Sequence, residues 1–334
     1  MPALLRPSGA PVAVHDLQVG DRVLGPRGAV ECTSVRKARS VMYEVRPFRG
    51  TPFLVGASQP LALVHTVTNR HFDCTVGEYQ RLGKTQRARL KLYQAPQPVV
   101  FTGQPSPRLS PYLLGLWIGD GGKTRRTNGN LDGFRITTAD PEVVEALRIE
   151  AALHPGVQLR GYFREDRCPD YYLVERGRAG NTLLDILRNA TTQDCTATAR
   201  YERGSRQTRY ELLAGLLDSD GHLSRGTGFD FVQKSKPITM QLIFVAQSLG
   251  FRASLRSKWV NGEHFFRVHI NGNTEKIPTR IPRKQASPRK QRKAVGRSGF
   301  VLRHAETQTI HRFTLTGGAR YFRTDFSVGA PWRS

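Results

Sequence analysis

The sequence predicts an α+β protein in which an all-β module is split by an inserted, internally duplicated unit of helices and strands. Three observations predict it. Short apolar segments punctuated by Gly and Pro fill both ends of the chain. The stretch Leu113–Gly121 returns one hundred residues later as Leu213–Gly221. Apolar residues make up 38% of the 334 and aromatics 9%, enough for a sizeable core and for two domains.

The elements follow in order. Val12, Val14, Leu17 and Val19 alternate loosely before a turn at Gly20-Asp21. Arg22–Leu24 reads as a strand and Pro26-Arg27-Gly28 as a turn. Val41–Val45, Phe53–Val55 and Leu61–Val67 continue the β pattern. From Val76 to Leu92 the period changes, and Tyr79, Leu82 and Leu90 with basic residues between them predict a basic helix. Pro96 and Pro98 end it, and 105–111 is a linker. Ser110-Pro111 is an N-cap followed by the residue favoured at the first helical position. An apolar helix over Tyr112–Asp120 follows, with Gly121 suited to a left-handed cap.

The second copy aligns without a gap. Leu113/Leu213, Gly115/Gly215, Leu116/Leu216, Asp120/Asp220 and Gly121/Gly221 are identical pairs. Downstream, Phe134–Thr138 resembles Phe229–Gln233, each a candidate strand. A Pro-started helix follows in each copy, Pro141–Leu153 and Pro237–Leu249, then a β segment at 157–163 and 252–260. The repeat is a helix–strands–helix unit. From Lys276 to Arg303 there are ten Lys/Arg and no acid. Strands at Phe300–Arg303, Ile310–Leu315 and Arg320–Phe322 return the chain to β structure. The expected organisation is 1–107 β with a basic helix, 108–273 duplicated, and 274–334 basic linker and β.

The balance of 51 Lys+Arg against 27 Asp+Glu, a net +24, describes a field that attracts polyanions. No run of 18 apolar residues exists, so no helix is expected to span a membrane, and the N-terminus does not read as a secretory signal. Cys32, Cys74, Cys168 and Cys195 form no Cys-x-x-Cys pair, which argues against a zinc ribbon. His65, His71 and Cys74 supply too few ligands and read as surface histidines beside a buried thiol. Nothing demands disulfides, which suits a reducing compartment.

The chemistry resides in the two helix ends. Gly115 and Gly119, like Gly215 and Ser219, put small residues on one helix face, so the two helices can approach closely. Each then ends on an aspartate beside the partly negative helix terminus. Two such carboxylates side by side raise each other's pKa. A divalent cation would remove the conflict, and Asp120, Asp220 and the carbonyls of Gly119 and Ser219 suit Mg²⁺, with Mn²⁺ as a substitute. Carboxylates and Mg²⁺ in a very basic chain point to phosphodiester cleavage, and two related sites to two strands. A duplicated binding protein without chemistry is the bland alternative.

At this point the residues carry a resemblance. Leu113–Gly121 and Leu213–Gly221 resemble the paired signatures of the LAGLIDADG homing endonucleases, in the dodecapeptide (DOD-type) form of the intein-borne and mating-type-switching members. His15–Leu24 resembles the early β segment of the Hint (Hedgehog/intein) fold, and Phe313-Thr314-Leu315 and Tyr321-Phe322 through Ser327-Val328 resemble its last strands. The resemblance covers nearly the whole chain. It implies a pseudosymmetric endonuclease domain of two αββαββα-like halves inserted into an all-β Hint-like domain. Three departures bear on splicing. Met1-Pro2-Ala3 offers no Cys or Ser nucleophile, Gln59 stands where the family has His, and 330–334 has no Asn to cyclise. The implied protein is a homing endonuclease that makes double-strand breaks at a specific DNA site and has lost protein splicing. A maturase or repressor that binds RNA or DNA without cutting is the alternative.

The resemblance also implies roles for further residues. Water-organising groups come from the strand after each motif, here Thr137 and Gln233. A lysine is expected beside each site, with Lys276 and Lys284 the second-half candidates and Lys234 and Lys236 alternatives. In the first half Arg200 or Arg203 would have to substitute. Strands of the two halves would lie in the major groove through Arg135, Arg160 and Arg164, and through Lys234, Arg252, Arg256, Lys258 and Arg267. Lys123, Arg125 and Arg126 read as flank contacts. The tract Lys284–Arg297 reads equally as backbone contact or as a nuclear import signal. The expected partner is double-stranded DNA, bound by a monomer away from membranes, in the nucleus of a eukaryote or wherever the target DNA lies.

Overall fold

The computed structural model describes residues 3–124, 131, 133–175, 182–289 and 294–332. In chain order the elements begin with β1 (Leu4–Leu5), β2 (Pro11–Val12), β3 (Arg22–Gly25), β4 (Gly28–Pro47), β5 (Phe53–Gly56), β6 (Leu61–His65) and β7 (His71–Cys74). Two short helices, α1 (Val76–Arg81) and α2 (Lys84–Arg89), lead to β8 (Leu90–Tyr93). Next come α3 (Pro111–Asp120), β9 (Phe134–Thr137), α4 (Pro141–Leu153), β10 (Val157–Arg164), β11 (Arg167–Glu175), α5 (Thr182–Ala190) and α6 (Ala199–Glu202). They are followed by α7 (Arg206–Asp220), β12 (Gly221–Ser224), β13 (Gly228–Gln233), α8 (Lys236–Ser248), β14 (Arg252–Val260) and β15 (Glu263–Asn271). The chain closes with β16 (Arg297–Ser298), β17 (Phe300–Leu315), β18 (Tyr321–Phe322) and β19 (Val328–Gly329).

The chain divides into two compact units, Met1–Gly103 with Arg292–Ser334, and Gln104–Gln291. The first is β-rich. Its longest pairing joins β17 antiparallel to β4 from Phe300↔Pro47 to Leu315↔Cys32, and β3 and β5 also pair with β4. A second sheet has the order β16-β8-β6-β7. One core gathers Leu4, Met42, Phe313 and Trp332, and another Leu61, Leu63, Tyr79 and Phe300.

Two features of this unit differ from expectation. The middle of β4 is strand because β17 supplies its pairing, although its sequence shows no alternation, and Arg36, Lys37 and Arg39 lie exposed along it. The expected single basic helix is two. Thr75 opens α1 with a capping box to Glu78, Leu82 leaves helical geometry and packs inward, and Gly83 opens α2.

The second unit is built on two helix–sheet layers that share one core. In the first, the sheet order is β10-β11-β9, and Val143, Ala146 and Leu147 of α4 are buried. In the second, the order is β12-β13-β15-β14, and Leu242, Val245 and Ala246 of α8 are buried. The registers correspond. Phe134↔Leu173 matches Phe229↔Ile270, and the bridge Gly121↔Ile136 matches Gly221↔Phe231. After β15 no α-helix follows among the described residues of this unit. Single turns at Thr274–Lys276 and Pro282–Lys284 take its place, and the unit continues through the stretch expected to be linker.

Candidate active site

The site forms where α3 and α7 pack along a seam of small residues. Ser110 caps α3 by accepting from the Leu113 amide at 3.4 Å, and Ser205 caps α7 by accepting from the Thr208 amide at 3.1 Å. A methyl group at Gly115 would come to 2.5 Å from the Leu212 carbonyl oxygen and 2.8 Å from the Leu216 nitrogen. At Gly119 it would overlap the Ser219 hydroxyl. Only glycine permits this approach, and it brings the C-terminal ends of both helices together. The Asp220 carboxylate lies against the last turn of α3, with Oδ2 at 3.3 Å from where a Gly119 methyl would stand.

Gly121 and Gly221 do not adopt the left-handed cap. Both are extended, with φ of −74° and −83°. The requirement for glycine there is steric, since a methyl at Gly221 would lie 2.5 Å from the Leu217 carbonyl oxygen and one at Gly121 would overlap that of Trp117.

The carboxylates repel. Burial by the surrounding protein and then the neighbouring Asp220 push Asp120 up to about 6, although its side chain stays reachable from solvent. Burial also raises Asp220, against the pull of Lys123, Lys284 and a hydrogen bond from Gln233 Nε2 to Oδ2 at 2.9 Å. The two lysines sit on the helix ends. Lys284 Nζ donates to the carbonyls of Leu217 (3.1 Å), Asp218 (2.6 Å) and Ser219 (2.9 Å). Lys123 Nζ donates to the Gly119 carbonyl at 3.1 Å. Each ammonium stands as a cation on partly negative helix-end oxygens, and burial lowers the pKa of Lys284.

Hard oxygen donors fit Mg²⁺ or Mn²⁺, and the mutual repulsion of Asp120 and Asp220 is the strain such a cation would relieve. The carbonyls of Gly119 and Ser219, expected as cation ligands, accept from Lys123 and Lys284 here. Among the described residues no group of three or more His, Cys, Asp or Glu is placed to hold a metal, and Asp120 and Asp220 are the two carboxylates that a cation at the helix ends would meet.

Several expectations are corrected. Thr137 is not the counterpart of Gln233. Strand register pairs Thr137 with Asp170, to which its hydroxyl donates at 2.5 Å, on the opposite face from the helices. The matching residue is Thr138, which is buried and accepts from the Asp140 amide at 3.1 Å. Lys276 is exposed and makes none of the contacts at the helix ends, while Lys123, expected as a flank contact, does. Arg200 and Arg203 precede α7, and fifteen helical residues at about 1.5 Å each separate them from Asp220. Lys234 is exposed and pairs with Glu263 at 2.6 Å, and Lys236 opens α8. Arg252 is buried, 5% exposed, and so cannot meet a groove.

The remaining basic residues stand on sheet surfaces. Arg160 and Arg164 are exposed on β10, and Arg256, Lys258 and Arg267 on β14 and β15. Arg135 is half-buried beside Gly122, with Nε 4.0 Å from Asp170. Arg125 and Arg126 lie outside the described residues.

Residues that the sequence did not single out lock the site. Asp218 is buried in α7, where burial raises its pKa. Its Oδ2 accepts from the Tyr112 hydroxyl at 2.8 Å and from the Arg280 amide at 2.6 Å. Arg280 also lies over the Tyr112 ring at 3.8 Å and bonds Glu211. Arg283 pairs bidentately with Asp140 at the start of α4. This strap carries Lys284 to the helix end. The available signal was an acid at 218 inside an apolar helix, where the first copy has Ile118. In the β-rich unit Gln59 is buried, and its amide donates to the Tyr321 hydroxyl and the Ala330 carbonyl, each at 3.3 Å.

No family model matches the chain. It is 29% identical over 222 residues to the replicative DNA helicase DnaB of Mycobacterium intracellulare, a match that covers 64% of this chain and 33% of the helicase. The chain thus spans about a third of the length of that curated relative. Among solved structures it is similar to mesophilic variants of the homing endonuclease I-DmoI, at 17% identity and TM-score 0.37, covering 48% of this chain and 87% of that one. I-DmoI in complex with DNA and Mn gives the same identity and TM-score, with 48% and 88% covered. The gp41-1 intein matches at 21% identity and TM-score 0.21, covering 28% of this chain and 63% of that one.

Proposed function

We propose that the chain is a site-specific DNA endonuclease of the LAGLIDADG kind, acting as a monomer on a long duplex with a divalent cation, Mg²⁺ or Mn²⁺, held by Asp120 and Asp220. The observation that carries the reading is the glycine-lined seam that forces two helix-end carboxylates together, against their mutual repulsion, at the end of a repeat in a +24 chain. A structural role would not need a second carboxylate beside the first, since one uncompensated acid at a helix end already costs stability. The two halves of the unit provide related surroundings for the two strands of a duplex.

When bound, the cation would stabilise charge on the reacting phosphate and lower the pKa of a water. The chain's own groups do the rest. Gln233 fixes the Asp220 carboxylate through Oδ2. Lys123 and Lys284 place positive charge at the helix ends and favour the ionised form of both acids. The basic surface supplies salt-sensitive affinity for the phosphate backbone. In the β-rich unit, Gln59 offers an amide where a splicing element of the resembled kind would need a group that moves a proton, which supports a chain that no longer splices.

The test is cleavage of a duplex library by the purified chain in Mg²⁺, with the ends sequenced. Asp120→Asn and Asp220→Asn should each abolish double-strand cleavage and leave binding largely intact. Sequence-selective binding without any cut ends would replace this reading with that of a binding protein.

A further inference from the structure

In the sheet β12-β13-β15-β14 the side chains alternate. Phe229, Phe231, Val268 and Ile270 are buried, while Asp230, Arg267 and His269 stand on the opposite face, away from the core. On that face Asp230 of β13 accepts from Arg267 Nε at 3.2 Å and Nη2 at 2.9 Å, and meets His269 Nδ1 at 3.2 Å. The Asp230 side chain is 13% exposed and that of Arg267 48%. Burial would push Asp230 up, but the bonds from Arg267 and His269 outweigh it and hold the carboxyl below its ordinary value. Glu263, the other acid of this face, is taken by Lys234. Arg256 lies directly opposite Arg267 in the register, with Lys258 beyond it. Both of these acids are engaged, so what the described residues of the face offer a partner is cationic.

The geometry of the pair is informative. Asp230 occupies one edge of the Arg267 guanidinium. The Nη1 donors and the second Nη2 proton remain, directed outward in the guanidinium plane. An arginine held this way cannot fold back, and its outer two-donor fork matches O6 and N7 of guanine in the major groove. An antiparallel pair of strands such as β14–β15 fits that groove. Arg256 and Lys258 have no acid partner among the described residues and suit phosphates, which tolerate a mobile donor.

We infer that Asp230 is a positioning residue that holds Arg267 to read one guanine in the major groove of duplex DNA. The inference rests on the DNA-cleaving reading above. The first half adds a consequence. Its register puts Arg135 and Asp170 at the positions matching Asp230 and Arg267, with the charges exchanged between strands. The arginine comes from β9 in one half and from β15 in the other. The two halves therefore do not present an arginine at equivalent positions.

The experiment is selection of bound sequences from a randomised duplex pool by the full chain in chelator, comparing wild type with Asp230→Ala, Asp230→Asn, Arg267→Ala and Arg267→Lys. Wild type should enrich a motif with a G·C pair that Arg267→Ala no longer prefers. That variant should lose about 10- to 100-fold in affinity for the selected duplex and much less for a random one. Asp230→Ala should lose preference at the same base pair while keeping its affinity for random duplex, an effect that a merely structural role would not confine to one position. Arg267→Lys, which keeps the charge and the fold but not the fork, should behave likewise, and Asp230→Asn should fall between. Unchanged base preferences in Asp230→Ala and Arg267→Lys would overturn the inference and leave the nuclease reading standing. A wild-type chain that retains no duplex at all would overturn both.

Discussion

Gly115→Ala tests the seam on which the site depends. The added methyl would meet the Leu212 carbonyl oxygen at 2.5 Å, the Leu216 nitrogen at 2.8 Å and the Gly215 carbonyl carbon at 3.0 Å. Ordinary contact between such atoms is about 3.5 Å, so α3 and α7 must part by roughly 1 Å. All three atoms are backbone, and none can turn aside. Overpacking of this kind costs about 1–3 kcal/mol. The rigid neighbours put the clash at the upper end, and the gain of about 0.5–1 kcal/mol from replacing a helical glycine offsets part of it. The net expectation is a loss of about 2 kcal/mol, or roughly 30-fold faster amide exchange in 111–120 and 206–220. Hydrogen exchange read by mass spectrometry reports this separately from the β-rich unit, where one unfolding free energy for the whole chain would not. Gly77→Ala is the control, because nothing lies within 4 Å of its new methyl in α1. It should stabilise its own unit by a few tenths to about 1 kcal/mol. If Gly115→Ala exchanges like wild type, or both substitutions shift in the same direction, the close-packed seam is not what joins the helices.

Two further outcomes follow from the site. Lys284→Met removes three hydrogen bonds to helix-end carbonyls and a positive charge beside both acids. It should cost about 1–3 kcal/mol of protection, read by hydrogen exchange in 206–220, and reduce cleavage, whereas Lys276→Met should change neither. The pH dependence has a defined sign. Asp120 is raised to about 6 from the ordinary carboxyl value of 3.8, so in chelator its contribution to stability is present below 3.8 and is lost as pH rises through about 6. Mg²⁺ requires the ionised carboxylates, so its stabilising effect on the melting temperature should be large near pH 7 and shrink below about pH 6. An equal Mg²⁺ effect at both pH values would refute the assignment of that carboxyl.

What was legible in the sequence is local or repeated. The two helices, their serine caps, the small residues at i and i+4 and the aspartates at the ends follow from spacing along the chain, because a helix fixes which residues share a face within one or two turns. The doubling made the aspartates conspicuous. What remained hidden depends on pairing across the chain. Thr137 and Thr138 are one residue apart, and the register with β11 agrees with the five-residue match of Phe134–Thr138 to Phe229–Gln233 in setting Thr138, not Thr137, on the helix side, since a shift of one reverses every side chain of a strand. The length of β4 was invisible because β17, far along the chain, supplies its partner. The same holds for Arg252, which reads as a groove contact until the fold buries it, for Lys123, which reads as a flank contact until the folded backbone presents the Gly119 carbonyl to it, and for the choice of Lys284 over Lys276 beside the helix ends. The sequence by itself determined the duplicated helices and the acids at their ends. The tertiary structure alone decided which charges meet, because Coulomb energy and hydrogen bonding depend on separations of a few ångströms that distance along the chain does not set.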